Sequence, residues 1–283
     1  MSVGKILASV GFAAAVAAVV IALLGPWSSA RAPVATPSPA PSTASKPPPA
    51  MSRALGQSIT LPATGRHSAT MIMLHGLGDT GRGWASGAQY FQPPYLKVVL
   101  PTAPIRPVTV NGGFPMTAWF DIHDLGPGLG PKETFKRKMK IVEPEVLESV
   151  AHVKAMIEEE KKAGIPADRI VLGGFSQGAL VALKTLITEK ERLGGVVALS
   201  FGVYADEDTP KPPKEVLETP VFLSHGDSDP IVPLAINEVG IESLKILGFD
   251  NVQSTVFRGQ HEAPVQVLSA VRNFITTNVP EQP

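Results

Sequence analysis

The sequence predicts an α/β fold with a mostly parallel central sheet and helices on both faces. Two observations carry this. Short, continuous, β-branched runs alternate with longer helical patterns, as expected of strands covered on both sides. That alternation continues without an internal repeat over about 230 residues from Met51 onward, enough chain for a sizeable core.

Taken in order, apolar runs at 70–75, 97–101, 169–174, 195–200, 220–225 and 251–257 read as six strands. Helical patterns cover 144–163, 176–191, 233–247 and 264–278. The first of these has Pro144 at its start and Gly164 just past its end, the residues that fit those places best. The stretch 101–131 is rich in Pro and Gly and reads as long loops, which in such folds carry the site.

Two segments precede this domain. Residues 6–24 are Ala, Val, Ile and Leu apart from Ser9, Gly11 and Phe12, and no charge falls between Lys5 and Arg31. As a helix they would span about 28 Å, close to the hydrocarbon thickness of a bilayer. A signal peptide, with Lys5 before it and Ser28-Ser29-Ala30 after it, is one reading. An uncleaved signal anchor is the other, favoured by length. Residues 31–50 are Pro, Ala, Ser and Thr with little else, and read as a partly extended spacer. The expected organisation is therefore 1–30 anchor or signal peptide, 31–50 linker and 51–283 catalytic domain. The protein is expected at a membrane through its single N-terminal helix, or in the secretory pathway if that segment is cleaved.

Composition narrows the chemistry. With 25 basic and 25 acidic side chains there is no general positive field for nucleic acid. With no cysteine there are no disulfides, thiolate metal sites or cysteine nucleophiles. No two histidines stand at metal-ligand spacing with a carboxylate, so no metal is expected.

Gly174-Phe175-Ser176-Gln177-Gly178 follows a predicted strand and opens a predicted helix. That is the setting of a nucleophile elbow, where glycines tolerate a sharp turn and the serine Oγ is lifted out of the sheet edge. A serine hydroxyl needs a base, and the base needs an orienting carboxylate. His261 follows the last predicted strand, where the chain order Ser, acid, His requires the histidine. His225-Gly-Asp-Ser-Asp-Pro230 offers two acids, Asp227 and Asp229, and spacing alone does not choose between them. The oxyanion needs two N–H donors. One is the residue after the nucleophile, Gln177. His75-Gly-Leu-Gly-Asp79 supplies the other, with Leu77 as donor. His75 and His225 end predicted strands and are read as structural. His152 reads as solvated, and His67 and His123 as loop residues without evident partners.

These residues resemble the acyl-protein thioesterase and lysophospholipase family of α/β-hydrolases, also called the phospholipase/carboxylesterase family. Leu74-His-Gly-Leu-Gly-Asp-Thr-Gly81 with Gly83-Trp84 is similar to its first signature, and Pro115-Met-Thr-Ala-Trp-Phe-Asp121 to its second. Gly173-Gly-Phe-Ser-Gln-Gly178 resembles its nucleophile block and His225-Gly-Asp-Ser-Asp-Pro-Ile-Val-Pro233 its acid block. The resemblance covers most of the chain from about residue 57 and implies an α/β-hydrolase fold. It also implies a triad of Ser176, Asp229 and His261, an oxyanion hole of Leu77 and Gln177, and hydrolysis of acyl esters and thioesters without a cofactor. It selects Asp229 over Asp227.

Besides the apolar N-terminal extension, two departures from the family pattern stand out. Gly178 is followed directly by Ala179, where a second glycine is usual. Only Gln260 separates Gly259 from His261, where two residues are usual.

Trp84, Trp119 and Phe120 lie in the blocks flanking the expected site and are expected to bind the acyl chain. Lys136, Arg137, Lys138 and Lys140 form a basic run read as a solvated face ahead of the long helix. The expected partners are an acylated protein or lipid ester and, through the uncleaved helix, a membrane. The function expected is that of a serine hydrolase of acyl esters or thioesters. The alternative is a membrane-tethered acyl-chain-binding protein on a catalytically impaired hydrolase fold, motivated by the two departures.

Overall fold

A computed structural model describes residues 53–123 and 131–282. Residues 1–52 lie outside it, so the expected apolar helix and Pro-rich linker are not among the described residues. Among the described residues no helix is long and apolar enough to cross a membrane.

Among the described residues, nine strands form two sheets. β1 (Gly56–Leu61), β2 (Ala69–Leu74), β3 (Leu96–Thr102), β6 (Ile170–Phe175), β7 (Gly195–Leu199), β8 (Val221–Gly226) and β9 (Val252–Phe257) make a seven-stranded sheet in the order β1-β3-β2-β6-β7-β8-β9. β1 is antiparallel to β3, and every other pair is parallel. β4 (Ile105–Val108) and β5 (Phe114–Thr117) form a separate antiparallel ribbon. The six strands read from periodicity are β2, β3 and β6 to β9. β1 escaped that reading because it is a half-exposed edge strand of mixed polarity, Gly-Gln-Ser-Ile-Thr-Leu.

The two faces of the sheet are set by the period of two along each strand. Ile72, Leu74, Ile170, Leu172, Val196, Ala198, Val221 and Leu223 point to one face. There they meet Val146, Val150, Val153 and Ile157 of α2 (Pro131–Lys162), Leu180 and Leu183 of α3 (Gln177–Ile187), and Ile236 and Leu244 of α5 (Leu234–Leu247). The alternate residues Met71, Met73, Val171, Val197, Leu199 and Phe222 point to the other face. They pack on Trp84 and Ala88 of α1 (Gly81–Ala88) and on Leu268, Val271 and Phe274 of α6 (Val265–Asn278). A single turn, α4 (Lys214–Leu217), precedes β8.

The helix expected over 144–163 is longer than read. It starts at Pro131, so Pro144 lies inside it and the basic run 136–140 lies on the helix, not ahead of it. A proline forfeits one helix hydrogen bond and is usually a boundary. Here Val142, Val146, Val150 and Val153 continue one buried stripe across Pro144, which ties both halves of the helix to the same core. Its end is as expected: Gly164 takes a φ of 95°, and the Ile165 N–H returns to Glu160 O at 3.0 Å.

The ribbon β4–β5 corrects the long-loop reading of 101–131. Its prolines hid it. Pro107 and Pro115 face each other across the ribbon, so the missing N–H groups fall at one pair. Gly112 and Gly113, both at positive φ, turn the chain between the strands. The base of the ribbon is fixed by Arg106, whose side chain is fully enclosed. It donates to Ala118 O at 2.9 Å and pairs with Glu145 at 2.9 Å and Glu148 at 3.2 Å on α2.

At the opposite end of the sheet from the loops that carry the site motifs, Glu160 of α2 accepts a hydrogen bond from the Thr70 hydroxyl at 2.8 Å and pairs with Lys97 at 2.6 Å. His67, expected to lack a partner, stands 3.0 Å from that hydroxyl. Glu160→Ala would leave the buried Thr70 hydroxyl with His67 alone and the Lys97 ammonium without its carboxylate. A loss of about 2–4 kcal/mol in urea unfolding is expected, with Glu160→Gln intermediate.

Candidate active site

The elbow is built where β6 runs into α3. Ser176 sits between them with φ 52° and ψ −118°, a strained backbone for a residue with a Cβ. The turn is held by the Ser176 N–H donating to Leu199 O at 2.8 Å. Two glycines make room for it. A Cβ on Gly174 would lie 2.1 Å from Gly178 O, and one on Gly178 would lie 2.4 Å from Leu74 O. The first turn of α3 is thus pressed against β6 and β2 with backbone touching backbone. Ala179 takes the place of the usual second glycine and is completely enclosed, so its methyl is accommodated in the core.

The loop after β2 lies beside the serine. A Cβ on Gly76 would stand 3.4 Å from Ser176 Cβ. Among the described residues, neither the Leu77 N–H nor the Gln177 N–H donates to any group, so two backbone donors are left free next to Ser176. The loop's shape is fixed from outside. Gly78 N–H donates to Thr117 O at 2.8 Å, the Thr117 hydroxyl donates to Asp79 O at 2.6 Å, and the Trp119 indole N–H donates to His75 O at 2.8 Å.

His75 is a structural residue, as read from its place at a strand end. Its Nδ1–H donates to Gly76 O at 2.6 Å and its Nε2 accepts the Ala103 N–H at 2.9 Å, which fixes the neutral ring in one tautomer. Burial pulls its pKa from 6.5 down to about 4, against the small opposing effect of the Gly76 carbonyl. Burial likewise pushes the Asp79 carboxyl up, partly offset by the Thr80 N–H.

The loops after β8 and β9 bring Asp229 and His261 together, with His261 Nδ1 2.6 Å from Asp229 Oδ2. The shortened Gly259–His261 spacing does not part them. Asp229 has no exposed side-chain surface. Its Oδ1 accepts the N–H groups of Ile231 and Val232, each at 2.8 Å. Burial, the largest single effect, raises the carboxyl's pKa. Hydrogen bonds from His225, His261 and the Val232 N–H outweigh it and hold Asp229 well below the usual carboxylate range.

His225 was read as structural, but its link to the acid was not legible. It is fully buried, bonded through Nε2 to Val232 O at 2.8 Å, with the same nitrogen 3.3 Å from Asp229 Oδ2. Asp227 has the turn role expected of the unused acid. It accepts the Ser228 hydroxyl at 2.8 Å and the Gly259 N–H at 3.2 Å, and so pins the histidine loop. The His261 ring packs on Phe175, the residue before Ser176, with ring centroids 4.8 Å apart.

The arrangement matches known proteins over the whole domain. The family model described as Phospholipase/Carboxylesterase matches residues 56–279. The chain belongs to that family. Acyl-protein thioesterase 1 of Neurospora crassa is 39% identical over 232 residues, covering 79% of this chain and 92% of the relative. Acyl-protein thioesterase 1 of Yarrowia lipolytica is 34% identical, covering 79% and 97%. Among solved structures, Zea mays acyl-protein thioesterase 2 superposes with a TM-score of 0.65 at 29% identity, covering 79% of this chain and 99% of that one. As a member of this family the protein is an α/β-hydrolase enzyme of the serine hydrolase type.

The three aromatics expected at the acyl chain are placed differently from one another. Trp84 is buried on α1 and its ring leans on Phe175, centroids 5.8 Å apart. Trp119 has no exposed surface, and Phe120 is nearly enclosed. Both belong to the core that backs the Leu77 loop. His123, expected to be alone, lies 3.2 Å from Asp121, and His152 bonds the carbonyl of Arg53 at 2.9 Å.

His75 has a pH consequence. Its folded pKa is depressed to about 4 against 6.5 unfolded. Its contribution to stability is therefore complete above pH 6.5 and is lost as the pH falls toward 4. At about 1.4 kcal/mol per unit, this is a loss on the order of 3 kcal/mol. Unfolding free energies of wild type and His75→Gln between pH 4 and 7 should converge toward acid as that component disappears.

Proposed function

We propose that the protein hydrolyses acyl esters or thioesters, taking the acyl chain from acylated proteins or lipid esters through a covalent intermediate on Ser176. The observation that carries this reading is the 2.6 Å contact between His261 Nδ1 and the enclosed carboxylate of Asp229, on loops that also pack His261 against the elbow. The acyl-protein thioesterase relatives support the substrate class.

In this reading Ser176 Oγ attacks the substrate carbonyl carbon while His261 Nε2 takes its proton. Asp229 keeps the proton of neutral His261 on Nδ1, leaving Nε2 as the base, and stabilises the imidazolium that forms. The carbonyl oxygen becomes an oxyanion, held by the free N–H groups of Leu77 and Gln177. The tetrahedral species collapses, the thiolate or alkoxide leaves with the proton from His261, and an acyl-serine remains. Water then attacks it by the same route, with His261 as base, and releases the fatty acid. The strained φ of Ser176 sets its side chain at the turn between β6 and α3, beside the loop after β2. Trp84 and Phe175 form apolar footing for the acyl chain, while Trp119 and Phe120 act from behind the loop. The apolar stretch 6–24 holds the enzyme at a membrane, with 31–50 as spacer. Flotation of the full-length chain with phosphatidylcholine vesicles after a high-salt wash tests that placement, and recovery in the aqueous phase rejects it.

A fluorophosphonate probe should label the wild type and not Ser176→Ala. Ser176→Ala and His261→Ala should each lower kcat/KM by at least about 10³-fold, with Asp229→Asn close behind. Labelling elsewhere, or full esterase activity in Ser176→Ala, rejects the assignment. Parallel assays with an acyl-cysteine peptide, a lysophospholipid and a short aryl ester rank the substrates.

A further inference from the structure

Gln177 has two separate attachments to the site. Its main-chain N–H is free beside Ser176. Its side chain, almost entirely buried, turns the other way and grips the segment after β5: Oε1 accepts the Trp119 N–H at 3.1 Å, and Nε2–H donates to Phe120 O at 2.8 Å. The carboxamide here does what a neighbouring strand would do, satisfying one donor and one acceptor of buried backbone.

The gripped segment holds the other side of the site. Trp119 Nε1–H donates to His75 O at 2.8 Å, and Thr117 O accepts the Gly78 N–H at 2.8 Å. Leu77 lies between these two anchor points. A continuous path of hydrogen bonds therefore runs from the Gln177 side chain, through residues 117–120, to both flanks of Leu77. The two free donors are the main-chain N–H groups at the ends of that path.

We infer that the Gln177 carboxamide is a positioning group that sets the separation of the Leu77 and Gln177 N–H donors, and so tunes the oxyanion hole apart from substrate binding. This rests on the proposed serine mechanism and deepens it. Loss of alignment at such donors weakens contacts made only in the transition state, so its signature is in kcat and not in KM. Substitution at 177 preserves the main-chain N–H, so the side chain is tested alone.

The experiment compares wild type, Gln177→Met and Trp119→Phe. The first substitution removes the amide's bonds with little change of volume. The second removes the indole bond to His75 from the far end of the same path. For each, kcat and KM for an aryl ester are measured together with the inhibition constant of an alkyl boronic acid, which mimics the tetrahedral species, and the melting temperature. For Gln177→Met kcat should fall on the order of 10- to 100-fold, less than the ~10²–10³-fold typical of deleting a donor outright. KM should stay within about twofold, and boronic acid affinity should weaken by the same factor as kcat.

Trp119→Phe should show the same pattern, and the double variant should lose less than the product of the two single effects, because both break one path. A Gln177→Met enzyme with wild-type kcat and boronic acid affinity, whatever its melting temperature, overturns the inference, as does a loss confined to KM. If Gln177→Met does not fold, Trp119→Phe alone decides by the same criteria. If the wild type itself neither turns over ester nor binds the boronic acid, the serine mechanism fails and not this refinement of it.

Discussion

The structure depends on the closeness with which the first turn of α3 is laid against the sheet. Gly174 and Gly178 have no side chains because carbonyls of the opposing backbone occupy the places where a Cβ would stand. That contact forces the chain to leave β6 and enter the helix in a single residue, and Ser176 absorbs the change with a left-handed φ. The strain is local, but its support is not. It comes from β7 through the Ser176 N–H bond to Leu199, from β2 beneath Gly178, and from the enclosed Ala179. The same closeness brings Gly76 to the serine, and with it the part of the loop after β2 that carries the Leu77 N–H.

Electrostatics follow the same plan. The site holds one firmly ionised buried group, Asp229, surrounded by two imidazoles and two backbone N–H groups. Around the Leu77 loop the titratable groups are held neutral or pushed that way: His75 because burial disfavours its cation, Asp79 because burial disfavours its anion. The free N–H groups of Leu77 and Gln177 thus stand among groups whose charged forms burial disfavours, an environment in which such dipoles act most strongly.

Much of this was legible in the sequence, for identifiable reasons. Strands β2, β3 and β6 to β9 are recognised because burial on both faces leaves unbroken apolar runs. The elbow is recognised because its glycines are demanded by backbone contact and cannot be replaced cheaply. The elements that were missed obey weaker rules. β1 is a half-exposed edge strand of mixed polarity, and β4–β5 carries prolines that normally argue against strands but here face each other. Pro144 marked a helix start by every local rule, yet a stripe of buried valines continues across it. Asp229 was separated from Asp227 only by family resemblance, because a two-residue shift within one loop leaves no trace in periodicity. The contact of His225 with Asp229 and the grip of the Gln177 side chain arise between distant segments and have no local signature.

The β4–β5 ribbon has a different kind of consequence. Its base is clamped by enclosed Arg106, two glutamates of α2 and the Ala118 carbonyl, whereas its tip carries Gly112, Gly113 and the exposed Phe114. The turn just below the tip is tied as well: the Thr109 N–H and hydroxyl donate to the Asp121 carboxylate, and the Val110 N–H donates to Ile122 O. At the crest a Cβ on Gly112 or Gly113 would meet nothing within 4 Å, so only their positive φ restrains what stands there, while residues 117–120, immediately beyond the clamp, hold the loop after β2. In a fold assembled this way the ribbon is a bracket and not a flap, and variation is confined to the few residues at its crest.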